Sequence, residues 1–379
     1  MNNNKNISFF PGLNALRFFA ALSVILGHVE LIKAAMSLKS HYTASLRFNL
    51  GGLGVYFFFV LSGFLITYLL LKEKENYRTI SLKKFYLRRI FRIWPLYFLV
   101  LILGFFILPH IHIIDLPYYK KHFEEHYFIN LILYLLIIPN LAFSIFPSVP
   151  HIGQSWSIGV EEQFYIFWPL MIKRSVNIGK LIINAFCIYI LIKVSVLILH
   201  KYLPHINWLL YLKNFISMCK FESMLIGAYG AWILFNNKQK MLAVIYHPIT
   251  FYTSLLSFPV INYFVYKGIL QDGIHVIISV QFIIVILNIA TNPNCSIKLK
   301  SKLLDYLGKI SYGLYMYHLM IIPFIVYLFK TYMSYSGGGL VQNIMIYVFS
   351  ILVTIVISGL SYTYFENYFL KIKSRFEVH

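Results

Sequence analysis

Charge is what this chain has least of. Only 12% of its residues are Asp, Glu, Lys or Arg, about half the share of an ordinary soluble protein. That excludes a water-soluble globule. Acid is scarcer still, with 13 Asp and Glu against 33 Lys and Arg and a formal net charge of +20. With 59% of the residues hydrophobic, the excess falls between apolar runs and reads as basic cytoplasmic loops, so no nucleic-acid partner is expected. The three cysteines, Cys187, Cys219 and Cys295, are scattered with no Cys-x-x-Cys, which supports neither a disulfide framework nor a thiolate metal site. There is no Gly-x-Ser-x-Gly elbow, phosphate-binding glycine loop or His-Glu-x-x-His motif, and no metal is expected. No repeat of fixed period stands out. The segment Met1–Asn6 is nearly uncharged, no small-residue cleavage site follows, and Arg17 interrupts the apolar run, so no cleavable leader is expected.

What the chain has in abundance is apolar runs of spanning length. They cover Phe10–Leu31, Leu50–Leu71, Tyr86–Leu108, Val160–Ile172, Leu181–Leu199, Met218–Phe235, Leu242–Phe264, Ile274–Ala290, Ile310–Phe329 and Leu340–Tyr364. The pattern predicts an all-α polytopic membrane bundle of about 10 transmembrane helices. A further stretch, Tyr127–Leu141, is short and broken by Pro139-Asn140. Charge parity decides its role. If it enters and leaves on one side, the basic clusters at Lys72–Arg92, Lys173–Lys180, Lys238–Lys240, Lys298–Lys309 and Lys371–Arg375 all fall on the cytoplasmic side. It is therefore expected as a re-entrant or half-helix on the outer side, with both termini cytoplasmic and Pro139–Ser157 walling an outward-facing cavity. Residues 1–370 read as one integral membrane domain and 371–379 as a short basic cytoplasmic tail.

Against this apolar background the polar residues stand out. Arg17 and His28 lie eleven positions apart in the first run, three helical turns plus about 20°, and so share one face about 16 Å apart. A buried arginine costs at least ~2.5–3.5 kcal/mol at a helix centre. The plainer account is that Arg17 snorkels to one interface while His28 sits at the other. Arg92 is four positions from Arg88 and three from Arg89, so it neighbours both on a helix surface. Such a cluster suits a phosphorylated cofactor through the planar guanidinium fork, or lipid headgroups. Ser157, Glu161 and Glu162 open a helix, where an N-cap and the helix dipole account for one carboxylate but not for two pointing about 100° apart. Tyr317 and His318 lie in Ile310–His318, with His318 about 12 Å into its helix. Ser62 and Gly63 fit close helix packing, and Glu366 ends the last run.

In order along the chain, Arg17-x10-His28, FFFVLSGF (Phe57–Phe64), RRIFRIWP (Arg88–Pro95), SWSIGVEEQFY (Ser155–Tyr165) and ISYGLYMYH (Ile310–His318) resemble the motifs of membrane-bound acyltransferase family 3. Gly313 stands where that family commonly has proline. The resemblance implies an O-acyltransferase that moves an acyl group, most often acetyl, from acetyl-CoA to a hydroxyl of a surface polysaccharide or lipid-linked glycan at the bacterial cytoplasmic membrane. It implies that Arg88, Arg89 and Arg92 hold the coenzyme A phosphates, that His28 is the catalytic histidine, and that Arg17 is its companion. Ser157, Glu161, Glu162, Tyr317 and His318 would complete the site, with Glu161 or Glu162 orienting the His28 ring. Two alternatives stay open: a polysaccharide or lipid-linked-sugar flippase, and an acyltransferase acting on phospholipid.

Overall fold

A computed structural model of the chain describes residues 10–40, 50–266, 273–333 and 339–377. The segment Met1–Asn6 lies outside them, as do the last two residues of the basic tail. Among the described residues there is no strand. In chain order the helices are α1 (Leu13–Ala35), α2 (Leu50–Tyr77), α3 (Leu82–Ile102), α4 (Pro117–Glu125), α5 (Tyr127–Leu135), α6 (Pro139–Ile145), α7 (Trp156–Arg174), α8 (Ile178–Tyr202), α9 (Asn207–Cys219) and α10 (Phe221–Phe235). They continue with α11 (Gln239–Tyr246), α12 (Pro248–Tyr266), α13 (Ile274–Thr291), α14 (Lys302–Lys309), α15 (Ser311–Tyr332), α16 (Leu340–Ser361) and α17 (Asn367–Ser374).

Each of the ten apolar runs is mainly helical, with Met218–Phe235 broken at Lys220 and Leu242–Phe264 at His247. Among the described residues, seven helices are long and apolar enough to cross a membrane singly, and an eighth crossing forms if α11 and α12, bent by 54°, count together. The other two runs fall on α7 and α10. The first carries Glu161, Glu162, Lys173 and Arg174. The second has only 15 residues, which at 1.5 Å per residue falls short of a full hydrocarbon thickness. Tyr127–Leu141 forms no continuous span. It breaks between α5 and α6, where Ile137 adopts φ 59° and Pro139 starts the new helix. Proline suits that first position because its missing N–H would be unpaired there anyway.

The chain divides into two compact units. The first comprises Met1–Ala20, Leu53–Leu82 and Glu161–Gly308. In its core the Phe10 ring meets Phe64 and Tyr68 with centroids 5.3 and 5.0 Å away, beside Ala231, Leu234, Ile286 and Leu287. Here α2 and α10 cross backbone to backbone. A Cβ at Gly63 would collide with the Met224 carbonyl, and one at Gly227 with the Val60 carbonyl. The close packing expected of Ser62-Gly63 is therefore made by the glycine. Lys74 Nζ donates to the carbonyls of Ile172 (2.7 Å) and Ser175 (2.6 Å), satisfying the free end of α7.

The second unit comprises Ala21–Gly52, Lys83–Val160 and Lys309–His379. Its centre is α15, nearly all of whose residues from Ser311 to Val326 are buried and which packs along α16. After Ile102, α3 loosens into a π-helical turn, Leu103–Ile107, and then a 3-10 turn, Leu108–His110. The buried Phe105 ring in that turn gathers Phe123, Tyr127 and Tyr134 around it. Near the end of α1, the buried Lys33 donates to Glu30 (2.6 Å), which also accepts from Tyr347 of α16 (2.7 Å).

Candidate active site

The second unit brings His28 and His318 together. The Tyr315 carbonyl, 2.7 Å from His318 Nδ1, can only accept, so that nitrogen carries a hydrogen. In a neutral ring His318 Nε2 is then an acceptor, and it lies 3.2 Å from His28 Nδ1. His28 Nδ1 therefore donates, sharing its hydrogen between His318 and the Val24 carbonyl at 2.9 Å. The lone pair of His28 is left on Nε2. Two backbone carbonyls thus set the tautomer of one ring through the other. The sequence pointed to Glu161 or Glu162 as the group that orients this imidazole; the contacts the structure shows at His28 Nδ1 are the Val24 carbonyl and His318. The ring edge also meets Gly51, since a Cβ there would come within 3.9 Å of His28 Cε1. Gly27, one residue before, lets the two segments approach, because its own Cβ would stand 2.9 Å from the Gly51 nitrogen.

Beside His318 the same helix turn anchors the segment ahead of α7. Ser157 Oγ and Tyr315 OH lie 2.7 Å apart. Tyr315 OH also donates to the Gln154 carbonyl at 3.0 Å, and Gln154 Nε2 donates to the Met316 carbonyl at 2.5 Å. A Cβ at Gly159 would press on Asn140 and Pro139, which seats α6 on the first turn of α7. Tyr317 begins a separate chain: its hydroxyl donates to Ser361 Oγ (2.9 Å), which donates to Glu366 (3.1 Å). Gly313, in the position where proline is common, lies against Ser358 and Glu366.

The arginine cluster of α3 meets the C-terminal segment of the same unit. Arg88 donates to the Phe376 carbonyl at 2.9 Å, and the rings of Phe91 and Phe376 stack with an interplanar angle of 2°. Arg89 lies over the Phe85 ring. Arg92 is within electrostatic reach of Glu366, and both Arg89 and Arg92 are within reach of Lys373. The three arginines, read from the sequence as a local trio, thus gain a lysine from α17 and a carboxylate that partly offsets them. Glu366, at the inner end of the last apolar run, was expected to pair with the basic cytoplasmic face; nothing short-range in the sequence announced Lys373, which is distant in the chain.

The remaining candidates lie in the first unit. Arg17 is half-buried on α1. Glu161 accepts from Ser62 Oγ (3.1 Å) and Tyr165 OH (2.6 Å), and Glu162 follows it on α7, also half-buried. The sequence reading missed Gln154 and the role of Tyr315, although both lie inside or next to the motifs it used. Among the described residues, no group of three or more His, Cys, Asp or Glu side chains is placed to hold a metal ion.

The sequence has counterparts among known proteins. The model of a family described as an acyltransferase domain matches residues 10–363. The chain belongs to that acyltransferase family. A Staphylococcus aureus (strain COL) protein named "Putative O-acetyltransferase SACOL0978" is 28% identical over a 391-residue alignment covering 97% of this chain and 58% of that protein. The O-acetyltransferase OatA of Staphylococcus aureus (strain NCTC 8325 / PS 47) is 26% identical over 374 residues, covering 95% of this chain and 57% of its own. The chain thus spans less than two thirds of the length of these relatives. No solved structure matches it significantly.

Proposed function

We propose that this chain is a transmembrane O-acyltransferase that moves an acyl group, in the simplest case acetyl, from cytoplasmic acyl-CoA to a hydroxyl of a surface polysaccharide or lipid-linked glycan on the outer side. The observation that carries the proposal is the oriented His318–His28 pair with its lone pair on His28 Nε2. Family membership and the O-acetyltransferase names of the relatives support the same reaction class. His28 Nε2 takes the proton of the acceptor hydroxyl as its oxygen attacks the thioester carbonyl. The positive charge that develops on His28 is shared through Nδ1–H with His318, a role usually given to a carboxylate. The tetrahedral intermediate expels the coenzyme A thiolate, and the proton taken by the base finally rests on that sulfur. Arg17, about 16 Å from His28 along the same face of α1, offers positive charge on the acyl path rather than at the reacting oxygen. Arg88, Arg89, Arg92 and Lys373 hold the donor's phosphates, with the bidentate geometry of arginine giving register and lysine adding charge.

Charge parity of the loops supports the orientation, with the arginines facing the cytoplasm and His28 in the outer half of its helix. Isothermal titration of the purified protein with acetyl-CoA tests the assignment. Arg89→Ala/Arg92→Ala is expected to abolish binding, while His28→Ala binds normally and transfers nothing. Undiminished binding by the double arginine variant would refute the donor site. A flippase would show no acetyl-CoA binding in any form.

A further inference from the structure

One histidine of the second unit belongs to none of the motifs yet is held with unusual care. His151 sits at the centre of a γ-turn: the Ile152 N–H donates to the Pro150 carbonyl at 2.8 Å, and His151 itself adopts φ 63°. This positive-φ form of the turn is the rare, strained one, and a branch-bearing residue there persists only when its surroundings over-determine it. They do. Ile152, fully buried, occupies a notch in the π-helical turn of α3 that exists because residue 104 is glycine; a Cβ there would collide with the isoleucine. Gly153 is pressed against Ser148 in the same way. Gln154 then staples the segment to α15 at the Met316 carbonyl. The outcome is a His151 ring that is 5% exposed, lies against the backbone of Leu319, the residue after His318, and has no hydrogen-bond partner at Nδ1.

A buried polar nitrogen without a partner costs free energy, and so does the turn that presents it. Glycine at this position would remove the strain, and an apolar side chain would remove the unmet nitrogen. A residue that keeps both, held against the backbone of Leu319, makes sense if a ligand completes it. We propose that His151 Nδ1 is a binding subsite for the acceptor, accepting a hydrogen bond from a hydroxyl of a sugar or similar polyol near the transfer site. This inference rests on the acyltransferase reading above. The neutral imidazole suits an uncharged hydroxyl: with its other nitrogen donating to the Leu319 backbone, Nδ1 is an acceptor that needs no counter-ion. A merely structural histidine would instead have its polar atoms paired.

The test uses native cells whose own copy is replaced by variants, with acetyl groups on surface glycan counted by mass spectrometry. His151→Gly relaxes the turn and leaves a hole the size of the ring. Acetylation is expected to fall about tenfold or more, and imidazole added to the medium is expected to restore part of it. His151→Asn, which tolerates positive φ and keeps hydrogen-bonding atoms, is expected to retain more activity than His151→Gly. Purified His151→Gly is expected to bind acetyl-CoA like the parent. The proposal is overturned if His151→Gly acetylates normally, if imidazole restores nothing and His151→Asn is equally inactive, or if acetyl-CoA affinity falls. Normal acetylation by His28→Ala would instead overturn the acyltransferase mechanism itself, so the two failures are distinguishable.

Discussion

His28 and His318 are separated by 290 positions, and their contact explains both what the sequence disclosed and what it withheld. A histidine well inside an apolar run is visible from composition alone, because burying it needs a reason. Its partner is not, because i, i+3 and i, i+4 neighbours are the only side-chain contacts that a helical sequence advertises. The same limit hid His151, whose meaning lies in a turn angle and an unpaired nitrogen rather than in spacing. At this scale the proposed mechanism has His318 act through His28. His318→Phe keeps the volume and removes the ring that shares the positive charge developing on His28, leaving the Val24 carbonyl to hold its tautomer, so kcat is expected to drop about a hundredfold with acetyl-CoA affinity unchanged. A pH–rate profile identical to that of the parent would argue that the contact does nothing. Burial pushes the His151 imidazole down to about 4, against weaker upward pulls from the Leu319 backbone and the Asp115 charge. As pH falls, the unfolded chain, near its ordinary value of about 6.5, takes the proton first. The stability contributed is thus complete above about 6.5 and is lost between there and about 4. The melting temperature in detergent should decline over that window more steeply for the parent than for His151→Asn; parallel declines would contradict the assignment.

Helices were the most legible elements, because runs of about twenty apolar residues have few alternatives in a bilayer. All ten runs are mainly helical, but their ends and interruptions follow caps and breaks that hydropathy does not record, such as Lys74 closing α7 and the break at Lys220. Ser62-Gly63 was readable as a close-packing pair, whereas its opposite number, Gly227 on α10, was not, since a lone glycine in an apolar run has many uses. A Cβ at either glycine meets backbone rather than a movable side chain. Gly227→Leu should therefore lower the melting temperature sharply, by the equivalent of at least about 1–3 kcal/mol; an unchanged melt would mean that α2 and α10 do not cross here. The buried Lys193, Glu222 and His275 of α8, α10 and α13 were wholly illegible, because each helix supplies one member. Lys193 Nζ lies 2.7 Å from Glu222 and 3.1 Å from His275, and His275 also contacts Glu222. Removing Lys193 alone, as Lys193→Met, leaves His275 to hold the buried Glu222 carboxylate and is expected to cost up to about 3–5 kcal/mol. Lys193→Met/Glu222→Leu should recover much of that in the same thermal assay. If the double variant melts no higher than the single one, the network is not a charge pair of this kind.

At the scale of the whole molecule, the excess of basic over acidic residues was read first as topology, and the structure adds a second use for part of it. Arg88, Arg89 and Arg92 share a neighbourhood with Lys373 near the chain end, so a segment that read as a basic tail belongs to the proposed donor site. Under the proposed orientation the acyl group travels outward along the face of α1 that carries Arg17 and His28, about 16 Å apart. The acceptor's proton travels the other way. The most direct test of this account is mass spectrometry of surface glycan from cells carrying the parent protein, His28→Ala, or Arg89→Ala/Arg92→Ala at matched expression. The account predicts glycan of unchanged amount and backbone that loses the acetyl increment in both variants. Acetylated glycan in the His28→Ala cells, or loss of the glycan itself, would contradict it.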